Sequence, residues 1–529
     1  MPVRHWRLLL VAIALCVLLP GFSAPTSHSG KDEYLLTLRT PLAMMEADVW
    51  VIPELDGAPR LKKPPLVYWL GRASYEAFGP GLASGRLVGI GFALVLLAAT
   101  VGIARRLTGS DAAAFWSGLV LITAAGFAVE GRRMMLDVPV AALSACAFWA
   151  ALAAWDSRRT LLWVVAGAAA GLGFLAKGPV VVAVAGAGAL ACLASGVWPL
   201  EGLRSRWRHL LLAAVAMALV AFPWFWWIGE SVPGAADVLA DELEARQIGG
   251  FNLAPLSGFV IIAAPWALWA FSRSGDRRLD LLLWLWIALS LAPFFFVRTF
   301  DRYLVGSIVP LAILAGLQFS RGVAGAGWKR LGGILLVAVP VAIGLFAVWF
   351  GIAPVLGAFA ILAALVFLGI WIAVRRPAWW VAAAAALWIY SLGVVYPALG
   401  INAMPDWVRE AGTREPVLFY RGPQPAMLPI LSGHAHRRVT RLAAAPGDLA
   451  GRLAGVSEFD RAALAEEAAA RGLRLDEVGS YTTFATYGSA LRFWPPRLGR
   501  EGWRSAIRAR SADALRTRIH LVRLAREAR

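Results

Sequence analysis

The chain has 529 residues, of which 59% are hydrophobic and only 16% charged. Soluble globular proteins carry about a quarter charged residues, so a water-soluble architecture is excluded for most of the chain. The formal net charge of +18 does not point to nucleic acid, because the basic residues are scattered in small groups between apolar stretches.

Taken in chain order, apolar runs near 7–24, 84–104, 111–129, 137–155, 161–175, 179–197, 209–228, 254–271, 280–297, 304–320, 331–350, 353–374 and 378–398 predict about thirteen membrane-spanning helices. Each run is of the order needed to cross a hydrocarbon core of about 30 Å, and a helix bonds its own backbone groups in lipid. Residues 1–24 carry Arg4, Arg7, an apolar stretch and Phe22-Ser23-Ala24, the pattern of a cleavable leader. The apolar run fills most of a bilayer, which favours an uncleaved first span. Either reading puts the next segment outside.

Every second connection is basic: Arg4/Arg7, Arg105/Arg106, Arg158/Arg159, Arg204/Arg206/Arg208, Arg273/Arg277/Arg278, Arg321/Lys329/Arg330 and Arg375/Arg376. The positive-inside rule makes these connections cytoplasmic. The outer side then holds a long first loop, about 25–83, shorter loops, and everything after the last span. The expected division is a transmembrane unit at 1–400 and an outer α/β domain at 401–529 with a basic tail.

Within the first loop, 31–47 and 65–78 mix apolar and charged residues at helical spacing and predict helices lying in the interface plane. Residues 49–55 and "DGAPR" predict extended chain and a turn. In the C-terminal part "PVLFYR" and "RRVTRLA" predict strands, "DRAALAEEAAARGL" a helix ending near Gly472, and "YTTFATYGSALRFW" a strand with a Gly break. The tail beyond Pro496 is Arg-rich and read as helical. Cys16, Cys146 and Cys192 sit in apolar runs and read as packing residues, with neither disulfide nor metal spacing.

Charge outside the basic connections is sparse, and ionisable groups near a bilayer are costly and usually serve a site. The outer set is Asp32, Glu33, Lys62, Lys63, Arg132, Arg133, Asp137, Lys177, the run 241–246, Arg298, Asp301 and Arg302. In "RLKKPPLVYWL" (60–70) the residue before a proline is pushed out of the helical region, and proline suits the first helical position. Lys62 and Lys63 thus stand at a helix entrance whose free amides and dipole favour an anion such as phosphate; the plain alternative is contact with lipid headgroups. Asp32 and Glu33 read either as first-turn acids or as carboxylates facing that anion site. Asp137 in "GRRMMLDVP" reads either as a helix cap or as a site acid. Lys177 in "FLAKGP" needs an anion, water or a carboxylate partner. Arg302 and Tyr303 in "RTFDRYLVGSIVP" either snorkel or join the site.

Together, "KDEYLLTLRTPLAMMEADVWVIPELDGAPRLKKPPLVYW", "RRMMLDVPVAAL", "GLGFLAKGP" and "DRYLVGSIVP" resemble the GT-C glycosyltransferases of the protein O-mannosyltransferase type, most nearly the branch of the lipid A aminoarabinose transferases. The resemblance covers most of 31–310. It implies a polyprenyl-phosphate sugar donor, transfer with inversion at the outer face of a bacterial inner membrane to lipid A or another lipid or glycan acceptor, and an outer C-terminal domain. It also implies roles: Asp32 as catalytic acid-base, Asp137 as a second site carboxylate, Lys63 at the donor phosphate, and Lys177, Arg302 and Tyr303 as further site positions; the residue reading adds Glu33 as an acid beside Asp32 and Lys62 as a cation beside Lys63. The chain departs from close aminoarabinose transferases at Leu35 and Leu36, where those carry Arg-Tyr, at Lys62, where some carry Glu, and in "DELEARQIGGFN", which has no His. These positions speak against a metal site of that kind; no cofactor is implied, and a divalent cation stays open. The rival readings are a protein O-mannosyltransferase, a flippase or transporter for lipid-linked sugars, and an inactive scaffold. A transporter needs charge at the bilayer midplane, whereas here charge gathers at the outer ends.

Overall fold

The computed structural model describes residues 3–157, 159–248, 250–322, 327–486 and 499–527. Among them, nine helices are long and apolar enough to cross a membrane, from Leu82–Thr108 to Pro377–Ala398. They fall on nine of the thirteen expected spans. The other four are shorter apolar helices, His5–Leu18, Asp111–Thr123, Val180–Ala194 and Ala254–Ala263. Two of these have a local cause. The run read as one span at 111–129 breaks at Ala124, which is extended (ψ 139°), before Ala125–Glu130 resumes. The run at 254–271 breaks at Ala264, also at ψ 139°, because the following Pro265 disfavours the helical region for its predecessor.

Lipid is as apolar as leucine, so helices in it associate through close packing of small residues. A Cβ on Gly167 would meet the Ala213 carbonyl at 2.0 Å, and one on Gly316 the Ser117 backbone at 2.5 Å. Gly89 does the same for the outer turn: a Cβ there would stand 2.1 Å from the Arg133 carbonyl. Trp266, Trp269 and Trp380 are fully buried edge-on to Phe319, with Trp371 tilted against Trp266 and Trp380, contacts that aromatic quadrupoles favour.

The first outer loop folds as Glu33–Thr37, a single wide turn, then the helix Arg39–Glu46, then a hairpin of β1 (Glu54–Leu55) and β2 (Ala58–Pro59), then the helix Leu66–Phe78. The two expected helices are present. The hairpin turn uses positive φ at Asp56 (57°) and Gly57 (78°), the backbone that Asp and Gly tolerate best. Arg39 clips this loop to the C-terminal part. Its guanidinium donates to Ala435 O at 2.9 Å, His436 O at 2.7 Å and Asp56 at 2.7 Å. Asp56 in turn accepts from the Arg438 amide at 2.9 Å.

Beyond Ala398 the chain builds a five-stranded sheet in the order β4-β3-β5-β7-β6, with β3 at Val417–Tyr420, β4 at Arg437–Val439, β5 at Leu453–Ser457, β6 at Leu473–Thr483 and β7 at Thr517–Arg526. β3 is parallel to β4 and β5; β7 is antiparallel to β5 and β6. The helix Arg461–Ala469 and the turn at Gly472 (φ +66°) stand where expected. The tail is a correction. Among the described residues Gly499–Ala509 is α-helical, Asp513–Leu515 is a short 3-10 turn, and Thr517–Arg526 is an inner strand whose Leu521 and Val522 serve cores on opposite faces. Its arginines disguise it because they leave the sheet to reach acids, Arg523 to Glu415 at 2.6 Å and Arg526 to Asp448 at 2.9 Å. The strand expected over 481–494 begins earlier, at Leu473, and its part beyond residue 486 lies outside the described residues.

Gly89→Val should push the helix Leu82–Thr108 off the 131–133 turn. Overpacking of this kind costs about 1–3 kcal/mol, so thermal unfolding of the detergent-solubilised variant should fall below wild type, while Gly91→Val, where a Cβ meets open space, should not.

Candidate active site

Six separate chain segments bring their charged residues to one cavity of about 300 Å³. Asp32 immediately precedes the wide turn of the first outer loop. Asp137 opens the helix Asp137–Ser157. Lys177 ends the helix Thr160–Lys177, where Gly178 (φ 73°) turns the chain away. Arg302 and Tyr303 lie on the tight turn Asp301–Ser307 that leads into the span behind it. Lys62 and Lys63 stand just before the helix Leu66–Phe78, whose first backbone bond runs from the Trp69 amide to Pro65.

The side chains alternate in sign. Arg302 joins the two acids, reaching Asp32 Oδ2 at 2.5 Å and Asp137 Oδ2 at 3.3 Å. Lys177 donates to Asp137 Oδ1 and sits 3.5 Å over the Tyr303 ring. The Tyr303 hydroxyl accepts from Arg246 at 2.8 Å, and Arg246 donates twice to Glu242 Oε1, at 3.0 and 2.7 Å. Lys63 donates to that same oxygen. The wall holds Arg60, Lys62, Lys63, Lys177, Arg246 and Arg302 against Asp32, Asp137 and Glu242, six cations to three anions, a surplus of three positive charges. Burial draws the Lys63 ammonium below the usual lysine range against the pull of Glu242. For Glu242 burial alone would raise the carboxyl, but Lys63 and Arg246 hold it below its ordinary value.

A second chamber of about 530 Å³ shares Lys62, Lys63, Lys177, Glu242, Arg246 and Tyr303 with the first, and is otherwise walled mostly by apolar side chains, Phe174, Val180, Phe225, Leu239, Phe294 and Val297, with Arg298 at its edge. The cations therefore stand between a polar room and a greasy one. An anion carrying an apolar chain fits that division.

Seven of the eight expected site residues, Asp32, Lys62, Lys63, Asp137, Lys177, Arg302 and Tyr303, line the polar cavity. Glu33 does not, and its reading as a site acid is corrected. Its side chain is fully buried. Oε1 accepts from Arg86 Nε and the Met134 amide, both at 2.9 Å; Oε2 accepts from Arg86 at 2.9 Å and Ser29 at 2.7 Å, with Arg133 at 3.4 Å. Burial would raise this carboxyl, but Arg86, Arg133 and Ser29 reverse the effect and hold it at about 2. Glu242 and Arg246 are the residues the sequence left without a role. Their signal was an acid and a base four apart on one face of an outer amphipathic segment. Among the described residues no three His, Cys, Asp or Glu side chains gather as metal ligands. Asp32 and Asp137 share Arg302, so this donor set does not fit a dedicated divalent cation.

Two crystal structures of ArnT from Cupriavidus metallidurans have this architecture. The one bound to undecaprenyl phosphate superposes with a TM-score of 0.71 over 98% of both chains at 20% identity. The apo one gives 0.70 over 90% of this chain and 97% of that one at 21% identity. This chain shares their fold, and the resemblance read from the sequence is borne out at that level. The family described as dolichyl-phosphate-mannose-protein mannosyltransferase matches residues 62–227. The undecaprenyl phosphate-alpha-4-amino-4-deoxy-L-arabinose arabinosyl transferase of Pseudomonas aeruginosa (strain UCBPP-PA14) is 29% identical over 386 residues, 64% of this chain and 65% of its own length. Its counterpart in Pseudomonas paraeruginosa is 30% identical over 42% of this chain and 40% of its own. The chain thus spans less than two thirds of the length of these relatives.

Glu33→Gln should destabilise the protein by about 3–5 kcal/mol, the usual effect of breaking a buried ion pair. The wild-type carboxyl lies below its ordinary 4.5, so its contribution to stability is complete above about pH 4.5 and is lost as pH falls toward about 2. Thermal unfolding from pH 7 to pH 2 should show that acid-side loss in wild type and a flatter profile in the variant.

Proposed function

We propose that this chain is a multi-pass inner-membrane transferase that moves a sugar from a polyprenyl-phosphate donor, such as undecaprenyl phosphate, to lipid A or another envelope acceptor on the outer side. We also read residues 1–400 as the catalytic unit and 401–529 as a periplasmic domain. The observation that carries the reading is the row of cations shared by a polar cavity and an apolar chamber. A donor of this class has those two halves, a phosphate-linked sugar and an isoprenoid tail. The names of the Pseudomonas relatives support the donor class.

In the proposed step the bond from the sugar anomeric carbon to the phosphate oxygen breaks, and the phosphate leaves with the electron pair. Lys63, with Lys62, Lys177 and Arg246 near it, meets the charge that grows there, and prearranged cations at developing charge are a large rate term. The acceptor oxygen attacks the opposite face of the same carbon, which inverts it. If the acceptor is a hydroxyl, its proton passes to Asp32; if it is a phosphate, no proton moves and positioning suffices. Arg302 and Asp137 orient Asp32 from behind. Glu242 holds in the resting site the place that a donor phosphate oxygen would take between Lys63 and Arg246.

The test is purified protein with undecaprenyl phosphate-linked 4-amino-4-deoxy-L-arabinose and a lipid A precursor, followed by mass spectrometry of the product, with a dolichyl- or undecaprenyl-phosphate mannose and a peptide as the second arm. Product in the first arm supports the reading; product only in the second makes the chain a protein O-mannosyltransferase. Asp32→Asn should lower kcat by about 10²–10⁴ for a hydroxyl acceptor, and Lys63→Ala by about 10²–10³. Glu242→Gln should instead lower KM for the donor, because Lys63 and Arg246 no longer have a resident anion to release.

A further inference from the structure

One surface away from the cavity carries cations that form no ion pair with an acid among the described residues. The helix Gly499–Ala509, GREGWRSAIRA, packs through Ala506 and Trp503 onto Phe346, Ala347 and Tyr396. It sits at the end of Gly332–Trp349 opposite the basic connection that contains Arg321 and Lys329. Two contacts fix its height. The Trp349 indole donates to Ile507 O at 3.1 Å, and the Arg510 guanidinium lies 4.9 Å over the Trp349 ring.

Arg500, Arg504 and Arg508 recur every fourth residue, so they form one stripe along the helix. All three are exposed, and none pairs with an acid among the described residues; Glu501 is the single acid on the helix. Beside the stripe two large apolar side chains are also open, Ile507 at 46% and Trp349 at 44%. In water that edge would be left bare. At a bilayer surface it would be covered, for basic residues on one face with Trp and aliphatic residues along the other is the make-up of a helix lying in the interface plane. Arginine is also the side chain that fits phosphate oxygens two at a time.

We propose that Gly499–Ala509 lies in the bilayer interface and binds the phosphates of anionic glycerophospholipids through Arg500, Arg504 and Arg508, with Ile507 and Trp349 set into the acyl boundary. The helix then acts as a foot. It leads through the short turn Asp513–Leu515 into β7, the inner strand between β5 and β6, so gripping the surface sets the height of the C-terminal sheet above the lipid. This holds whichever sugar or acceptor the cavity serves.

The experiment is hydrogen–deuterium exchange of the 499–511 backbone amides in full-length protein reconstituted into nanodiscs of phosphatidylcholine, with or without phosphatidylglycerol. Basic residues near an anionic surface contribute about fivefold each. Exchange in this segment should slow at least tenfold with phosphatidylglycerol in wild type, and that slowing should disappear in an R500Q/R504Q/R508Q variant whose thermal unfolding matches wild type. Free inorganic phosphate added to phosphatidylcholine discs should not reproduce it. Equal exchange in both disc types, persistence of the slowing in the triple variant, or full protection by inorganic phosphate alone would each overturn the proposal.

Discussion

Arg302 is the hinge of the arrangement, because it serves two acids that could not otherwise sit together at the lip of a bilayer. Two carboxylates near low-dielectric surroundings repel, and one would be driven to bind a proton. With Arg302 between them and Lys177 on the far side of Asp137, both acids stand beside a cation. The same logic runs outward through Tyr303 and Arg246 to Glu242 and Lys63. Each charge is the condition for its neighbour. The cavity therefore keeps its cations in place while leaving a positive surplus for an incoming anion.

Asp32 and Glu33 are adjacent in sequence and opposite in fate. Asp32 faces the cavity with its side chain 39% exposed, whereas Glu33 is fully enclosed. The wide turn that begins at Glu33 sends one side chain toward the helix Leu82–Thr108 and leaves the other at the opening. Glu33 then ties the loop to Arg86, to Arg133 and to the Met134 amide. The anchoring acid makes the exposed acid's position reproducible, the kind of support that precise sites require.

Much of this was readable without coordinates. Apolar length marked the spans, and the sparse outer charges marked the cavity, because a cation or acid beside lipid has few innocent explanations. Lys62, Lys63, Asp137, Lys177 and Arg302 come from distant segments yet meet at one place. What escaped has physical reasons. Glu33 looked like its neighbour because sequence carries no sign of which way a side chain turns. Glu242 and Arg246 gain meaning only from Lys63 and Tyr303, far along the chain. β7 was hidden because an inner strand buried on both faces loses simple alternation, and its arginines reach acids that only tertiary structure brings near. The breaks at Ala124 and Ala264 shortened helices whose apolar content gave no warning.

The Arg39 clip has a bearing on biogenesis. Its acceptors at Ala435 and His436 emerge almost 400 positions later, with 397 residues separating Arg39 from His436. At a synthesis rate of about 5–20 residues per second, the loop bearing Asp32 waits roughly 20–80 s for the segment that fastens it. During that interval the ribosome is still delivering spans, and an early loop is among the last parts to be secured. A newborn molecule thus lacks this fastening of the Asp32 loop until nearly all of it has been made.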